Sequence, residues 1–218
     1  MSQAEENYLK TIFSLEYNSQ KKISTNLIAS KLNTKASSVT DMLKKLADKN
    51  LVIYKKYKGV KLSKDGNKIA INVVRKHRLW EFFLVNKLQF SWDSVHEIAE
   101  QLEHIKSAVL IEKLDAFLNY PKKDPHGDVI PDKDGKIEKI EDALTLDKLQ
   151  EKEKGVFIGV KDSSDSFLQY LNKIKLALGI ELNIVSVEPF DKSIKIRTEN
   201  KVIMITNTVA KNIFVKKL

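Results

Sequence analysis

The chain holds four histidines, His77, His96, His104 and His126, and each stands close to a carboxylate in sequence. His77 and Glu81 are one helical turn apart, so on a helix they share a face. His96, Glu100, Glu103 and His104 follow at i, i+4, i+7 and i+8, which covers about a third of a helix circumference. Such a face has two uses. It can pair within the helix, at about 0.2–0.5 kcal/mol per pair, or it can replace the hydration shell of a divalent ion. A single pair reads better as an ion pair; the participation of every histidine favours a metal. The chain has no cysteine, so disulfides, zinc ribbons and thiolate sites are excluded, and the donors must be imidazole, carboxylate, amide or carbonyl.

Hydrolytic chemistry fails on the same residues. His96-Glu97-Ile98-Ala99-Glu100 opens like a zinc-protease helix, but Glu100 stands where the second histidine is required. Glu100-Gln101-Leu102-Glu103-His104 lacks the first histidine of the inverted motif. No nucleophile is placed by motif near a histidine base, and no glycine-rich phosphate loop is present. The chain is read as no enzyme, without a small organic substrate, and the metal as regulatory.

The elements that must position these groups are legible from periodicity. Tyr8, Leu9, Ile12, Phe13 and Leu15 mark an amphipathic helix over 5–18. Ser24 caps a short helix bearing Leu27, Ile28, Ala29 and Leu32. After the turn at Asn33-Thr34, a third helix over about 35–49 turns Val39, Met42, Leu43 and Leu46 inward. Leu51-Val52-Ile53-Tyr54 and Val60-Lys61-Leu62, joined by Tyr57-Lys58-Gly59, read as a hairpin. Helix, turn, helix and hairpin is the order of a winged helix-turn-helix, whose second helix enters the major groove. Two long apolar-faced helices are expected next, from Ser63 to about Leu88 and from Trp92-Asp93 to Tyr120, with a symmetric dimer burying their excess apolar face. The segment 121–150, with Pro121, Pro125 and Pro131, reads as loop and linker. Residues 155–218 turn β-rich around one helix near Phe167–Leu178, as in a small, partly open SH3-like barrel. The fold class is therefore mainly α with β. The expected domains are a winged helix-turn-helix over 1–65, a helical dimerisation and metal-binding domain over 66–145 and an SH3-like β-barrel over 153–218.

Charge is distributed along the 218 residues in a way that suits this division. Residues 1–76 carry 16 Lys/Arg against 6 Asp/Glu, whereas residues 77–150 carry 10 against 15. A basic reading head suits the phosphates of double-stranded DNA, and an acidic middle suits a cation. Hydrophobic residues make up 42%, enough for a core, yet no run reaches the ~18 apolar residues of a membrane helix. Met1 is followed by Ala4-Glu5-Glu6 in place of a basic, then apolar, leader. A cytoplasmic protein without a membrane partner is expected.

Several stretches carry a resemblance. They are Asn7-Tyr8-Leu9-Lys10-Thr11-Ile12, Ala36-Ser37-Ser38-Val39-Thr40-Asp41-Met42, Tyr54 to Val60, Arg75-Lys76-His77-Arg78-Leu79-Trp80-Glu81, His96 to His104 and Asp124-Pro125-His126-Gly127-Asp128-Val129-Ile130-Pro131. Through them the chain resembles the diphtheria-toxin-repressor family, with its iron-dependent repressors and manganese transport regulators, over essentially its whole length. The resemblance implies a homodimer that represses metal-uptake genes from palindromic operators when a metal is bound. It implies one metal site from Glu100, Glu103, His104 and Asn7, and a second from His77, Glu81 and His96, joined by Asp124 and His126. An acidic group of the C-terminal barrel, Asp162 or Asp165, is expected to complete the latter.

Iron-type members carry Met and Cys at the positions of Asn7 and Glu100. Oxygen and nitrogen donors here suit Mn(II) first and Fe(II) second. Manganese-type members usually place carboxylates at the positions of Asn7 and Lys10, and a charged Lys10 is no ligand. At the DNA, Lys35, Ser37, Ser38 and Asp41 are expected at base edges, and Thr40, Lys44, Lys55, Lys56 and Lys58 at phosphates. The rival reading is a metal-independent DNA-binding protein whose His/Glu face is a structural clamp.

Overall fold

The computed structural model describes residues 1–18, 22–55, 59–138 and 142–218. They divide into two compact units built from non-contiguous stretches. The first combines residues 1–77, 100–114 and 131–137; the second combines residues 78–99, 115–130 and 138–218.

In the first unit, helix α1 (Gln3–Asn18) opens with a reciprocal cap. The Glu5 amide donates to Ser2 Oγ at 3.3 Å, and the Ser2 nitrogen donates to Glu5 Oε2 at 3.0 Å, which satisfies otherwise orphaned groups. Helix α2 (Thr25–Lys31) starts at Ser24, whose hydroxyl accepts from the Leu27 amide. Asn33 takes the left-handed conformation at the turn into α3 (Ala36–Asp48), and Asn50 does so just beyond that helix; asparagine tolerates it better than bulkier residues. Strands β1 (Val52–Lys55) and β2 (Gly59–Leu62) pair antiparallel, Val52 opposite Leu62, and form the wing. Glu16 of α1 accepts from the Leu62 amide and anchors it. Leu9, Ile12, Ile28, Val39, Leu43, Leu46, Val52 and Val60 close the core. The winged helix-turn-helix expected from the sequence is present.

Glu5 ties α1 to the recognition helix α3. Its buried carboxylate meets Lys49 at 2.6 Å and Lys45 at 3.1 Å. The Lys49 bond and the Ser2 amide hold its pKa at about 2, against an ordinary 4.5. A carboxyl depressed on folding stabilises the fold above the ordinary value, and that stability is lost as pH falls through the folded one. The urea midpoint of the wild type should therefore fall between pH 4.5 and about 2 more steeply than that of Glu5→Gln. Superimposable pH profiles would contradict this role for Glu5.

The long helix α4 (Lys64–Leu88) runs as expected from the sequence. The next helix does not. In place of one helix from Trp92 to Tyr120, the chain forms α5 (His96–Leu102) and α6 (Ala108–Phe117). Ser107 restarts the helix: its hydroxyl accepts from the Leu110 amide and its carbonyl from the Ile111 amide. Apolar residues at Ile105, Val109 and Leu110 keep helical spacing across the break, so periodicity could not reveal it. Glu103 and His104 therefore sit in the turn after α5, off the helix face that carries His96 and Glu100.

The second unit contains an antiparallel six-stranded sheet in the order β3-β8-β4-β5-β6-β7. Its strands are β3 (Ala143–Thr145), β4 (Lys154–Val160), β5 (Glu181–Val187), β6 (Ile194–Arg197), β7 (Val202–Ile205) and β8 (Ile213–Lys217). Register shifts at Phe157/Gly159 and Ile184/Ser186 are the bulges that bend a small sheet. Helix α7 (Asp165–Lys173) places Leu168 and Leu171 against Phe157, Leu182, Ile184, Ile196 and Val215. Three elements went unforeseen: β3 and a single 3-10 turn over Leu146–Lys148, both inside the stretch read as linker, and the short α8 (Asn207–Ala210) capped by Thr206. The helix near Phe167–Leu178 ends earlier than expected, at Lys173.

Candidate metal centre and nucleic-acid interface

Two clusters of carboxylate and imidazole groups form, one in each unit. In the first unit the centre is Glu103, whose side chain is wholly buried. Its Oε2 lies 2.5 Å from His77 Nδ1, and its Oε1 lies 3.7 Å from His104 Nε2. Lys10 Nζ stands 2.8 and 2.9 Å from the two Glu103 oxygens and 3.2 Å from Glu100 Oε1. Burial raises the Glu103 pKa, but the bond to His77 and the charge of Lys10 outweigh it, so the group stays below the ordinary value and ionised. His104 Nδ1 meets Glu6 Oε2 at 2.6 Å. On α1, Lys10 is a helical neighbour of both Glu6 (i,i+4) and Asn7 (i,i+3). Asn7 Oδ1 is buried there and has no hydrogen-bond donor among the described residues.

In the second unit Glu81, Asp124 and His126 are all buried and offer ligand atoms within 4.8 Å of one another. Glu81 also faces His96 Nδ1 at 3.4 Å, and on α4 it stands one turn from His77. The loop before β3 is shaped by Asp124, whose Oδ1 accepts from the amides of His126 and Asp128 at 2.8 and 3.0 Å. His126 Nε2 lies 2.8 Å from the Trp92 carbonyl, and the two rings stack at 6.0 Å. A ring nitrogen facing a carbonyl carries the proton, which leaves Nδ1, 3.5 Å from Glu81, as the nitrogen that could bind a cation.

The charges in this cluster are strongly coupled. Burial, then the Glu81 and Asp128 charges, push Asp124 up to about 7. Burial opposes a charged His126, but the Glu81 bond and charge win and raise it to about 9. Metal-free, the site keeps protons that a cation would replace. Arg78 adds a further charge, with Asp128 at 3.1 Å and Asp124 at 3.6 Å.

Both donor sets fit a divalent ion of intermediate hardness. They offer oxygen and imidazole nitrogen without thiolate, and the acceptor of Asn7 is buried without a donor. Glu6 and Arg78 were missed by the sequence reading. The run Glu5-Glu6-Asn7 was the available signal for Glu6. Asp162 and Asp165 are both exposed, Asp162 accepting from the Ser164 amide, and among the described residues neither joins a three-ligand group.

On the recognition helix, Lys35 precedes the first turn, and Ser37 and Ser38 are exposed within it. Thr40 donates its hydroxyl to the Ala36 carbonyl at 3.0 Å. Asp41 and Lys44 are exposed and pair at 3.5 Å. Lys55 is exposed at the end of β1, and Lys61, which sequence reasoning passed over, is exposed on β2 opposite Ile53. Lys56 and Lys58 lie outside the described residues.

A winged helix-turn-helix attached to buried imidazole–carboxylate clusters defines a DNA-binding regulator of the metal-responsive class. Family models agree: "Iron dependent repressor, N-terminal DNA binding domain" matches residues 1–60, "Iron dependent repressor, metal binding and dimerisation domain" residues 63–132, and "FeoA domain" residues 144–217. The chain is similar to the solved structure of a manganese-dependent transcriptional repressor complex with manganese, at 33% identity and TM-score 0.88, covering 98% of this chain and all of that one. It is also similar to the manganese regulator SloR, at 37% identity and TM-score 0.78, covering 98% of each chain. The iron-dependent repressor IdeR of Mycobacterium tuberculosis is 32% identical over 126 residues, 58% of this chain. The chain spans about half the length of such curated iron-dependent repressors, 54%, and 16% of a probable metal transport system membrane protein of Chlamydia pneumoniae that is 44% identical over 73 residues. The chain belongs to the iron-dependent, or diphtheria-toxin, repressor family of metal-dependent transcriptional repressors.

Proposed function

We propose that this chain is a homodimeric repressor that Mn(II) switches on for binding to a palindromic operator of metal-uptake genes, with Fe(II) as the second choice of ion. The observation that carries the reading is the position of Glu103 and His104: both reach groups of α1 or its unit, so a ligand cluster and the reading head belong to one compact body. Glu100, Glu103, His104 and Asn7 would hold one ion; Glu81, His96, Asp124 and His126, with His77, would hold the other. Bound there, a divalent ion supplies positive charge to carboxylates that otherwise repel. His77 and Glu6 orient Glu103 and His104, and Trp92 fixes the tautomer of His126. The switch can tighten DNA binding only by its preference for the competent state, about 1–3 kcal/mol for a typical coupling.

Manganese is preferred because the available donors are oxygen and nitrogen. The dimer is supported by apolar side chains left open on α6, where Val109 is 62% and Phe117 61% exposed; such a patch suits an isologous interface. Among the described residues no helix is long and apolar enough to cross a membrane, and a cytoplasmic site of action follows from the operator as target. The proposed domains are the reading head over 1–65, the dimerisation and metal-binding region over 66–145 and the SH3-like barrel over 153–218. Lys35, Ser37, Ser38 and Asp41 would face base edges, with Thr40, Lys44, Lys55, Lys56 and Lys58 at phosphates.

An operator titration in Mn(II) tests the docking. Ser38→Ala should change the ranking of operator variants, whereas Lys55→Ala should weaken all of them alike and lower the salt slope by about one. The same salt slope and the same ranking in both variants would contradict the assignment, and no operator binding by the wild type would overturn the function.

A further inference from the structure

Lys10 sits where the cluster around Glu103 would take a cation. Its side chain is 16% exposed and bridges Glu100 and Glu103, whose exposures are 46% and 0%. The ammonium lies within 2.9 Å of both Glu103 oxygens, so it covers the carboxylate with a positive charge carried by α1. The partners are more than ninety residues apart in sequence for Glu103, so this is a tertiary tie rather than a helical pair. Little water reaches Glu103, and screening that makes exposed pairs weak is reduced there. A second cation, Lys76, donates to the Ile105 carbonyl at 3.4 Å and feels the charges of Glu6 and Glu103. It leaves the Glu103 oxygens themselves to Lys10, His77 and His104.

We propose that Lys10 is a tethered cation that latches α1 to residues 100–107 in the metal-free protein and that an incoming divalent ion must displace, so that this one side chain sets the metal concentration at which the switch responds. The displacement rests on the reading of Glu100 and Glu103 as metal ligands. A divalent ion and an ammonium within contact distance of the same carboxylate repel each other, so the two occupy the cluster in alternation. The latch gives the free protein a partly closed arrangement, and the displacement makes closure by metal harder to reach at low ion concentration.

The test uses the full chain as wild type, Lys10→Gln and Lys10→Arg. In chelator, amide exchange over residues 100–107 should be roughly tenfold or more faster in K10Q, the loss of a charge-assisted bond, and close to wild type in K10R. Equilibrium dialysis against Mn(II), with Glu81→Ala added to every protein so that uptake reports this cluster alone, should show K10Q half-loaded at about a tenfold lower concentration. Unchanged exchange in chelator, or Mn(II) uptake by K10Q no tighter than with Lys10 present, overturns the latch. Uptake by neither protein would instead remove the metal reading of Glu100 and Glu103, and the displacement with it, while the exchange comparison still decides the metal-free tie.

Discussion

Glu103→Ala and His104→Ala should each bring operator affinity in Mn(II) down to its level in chelator while the dimer persists. Glu103 is the point at which His77, Lys10 and His104 converge, so its removal deletes the anionic centre of the cluster. His104 acts at its edge, between Glu103 and Glu6. If a cation held by these groups fixes the reading head, either variant loses the whole coupling, about 5–150-fold in affinity. Neither residue contributes to the exposed apolar side chains of α6, so sedimentation should still report a dimer. Anisotropy against operator DNA checks the first part. Undiminished stimulation in both variants would show that this cluster is no part of the switch.

Gly127→Ala should be nearly as damaging, for a different reason. Gly127 has φ of +90°, and a Cβ there would lie 2.3 Å from the Ile158 carbonyl oxygen and 2.4 Å from the Gly159 Cα. Both neighbours are backbone of β4, which the same loop contacts through the Val160 amide and the His126 carbonyl at 3.0 Å. Relief requires the loop to leave the strand. Left-handed strain of about 1–2 kcal/mol and overpacking of about 1–3 kcal/mol together predict a loss of about 3 kcal/mol. At about 2–4 °C per kcal/mol for a chain of this size, the melting temperature should fall by roughly 6–12 °C. Asp124 and His126 lie in the displaced loop, so metal should protect the variant less than the wild type. A melting temperature within about a degree of wild type would refute the packing argument.

Much of this molecule was readable from residue order. The reading head followed from Ser24, the turn at Asn33 and the apolar spacing of α3, because capping and periodicity are local signals. That imidazoles and carboxylates would gather was legible from their spacing, but the partners were not: His77 meets Glu103, His96 meets Glu81 and His104 meets Glu6. What escaped the sequence was tertiary. Ser107 ended one apolar pattern and began another in phase with it, so the helix from Trp92 appeared unbroken and Glu103 and His104 appeared to share a face with His96. Strand β3 is three residues long and takes its identity from pairing with β8 rather than from its own composition. Arg78 and the bridging of Lys10 have no sequence pattern at all, and Glu6 had only its place in the run Glu5-Glu6-Asn7: each acts on a partner tens of residues away. The resemblance supplied the proposed ligand set, and the structure supplied the Lys10 ammonium that lies against Glu100 and Glu103.

The most direct test of the central claim is fluorescence anisotropy of a labelled duplex from the gene's own promoter, titrated with protein in chelator, in Mn(II) and in Fe(II) without oxygen. Metal-activated repression predicts weak binding in chelator and tight, salt-sensitive binding in Mn(II), with Fe(II) no better than Mn(II). Equally tight binding in chelator would contradict it and leave the imidazole–carboxylate clusters as structural clamps.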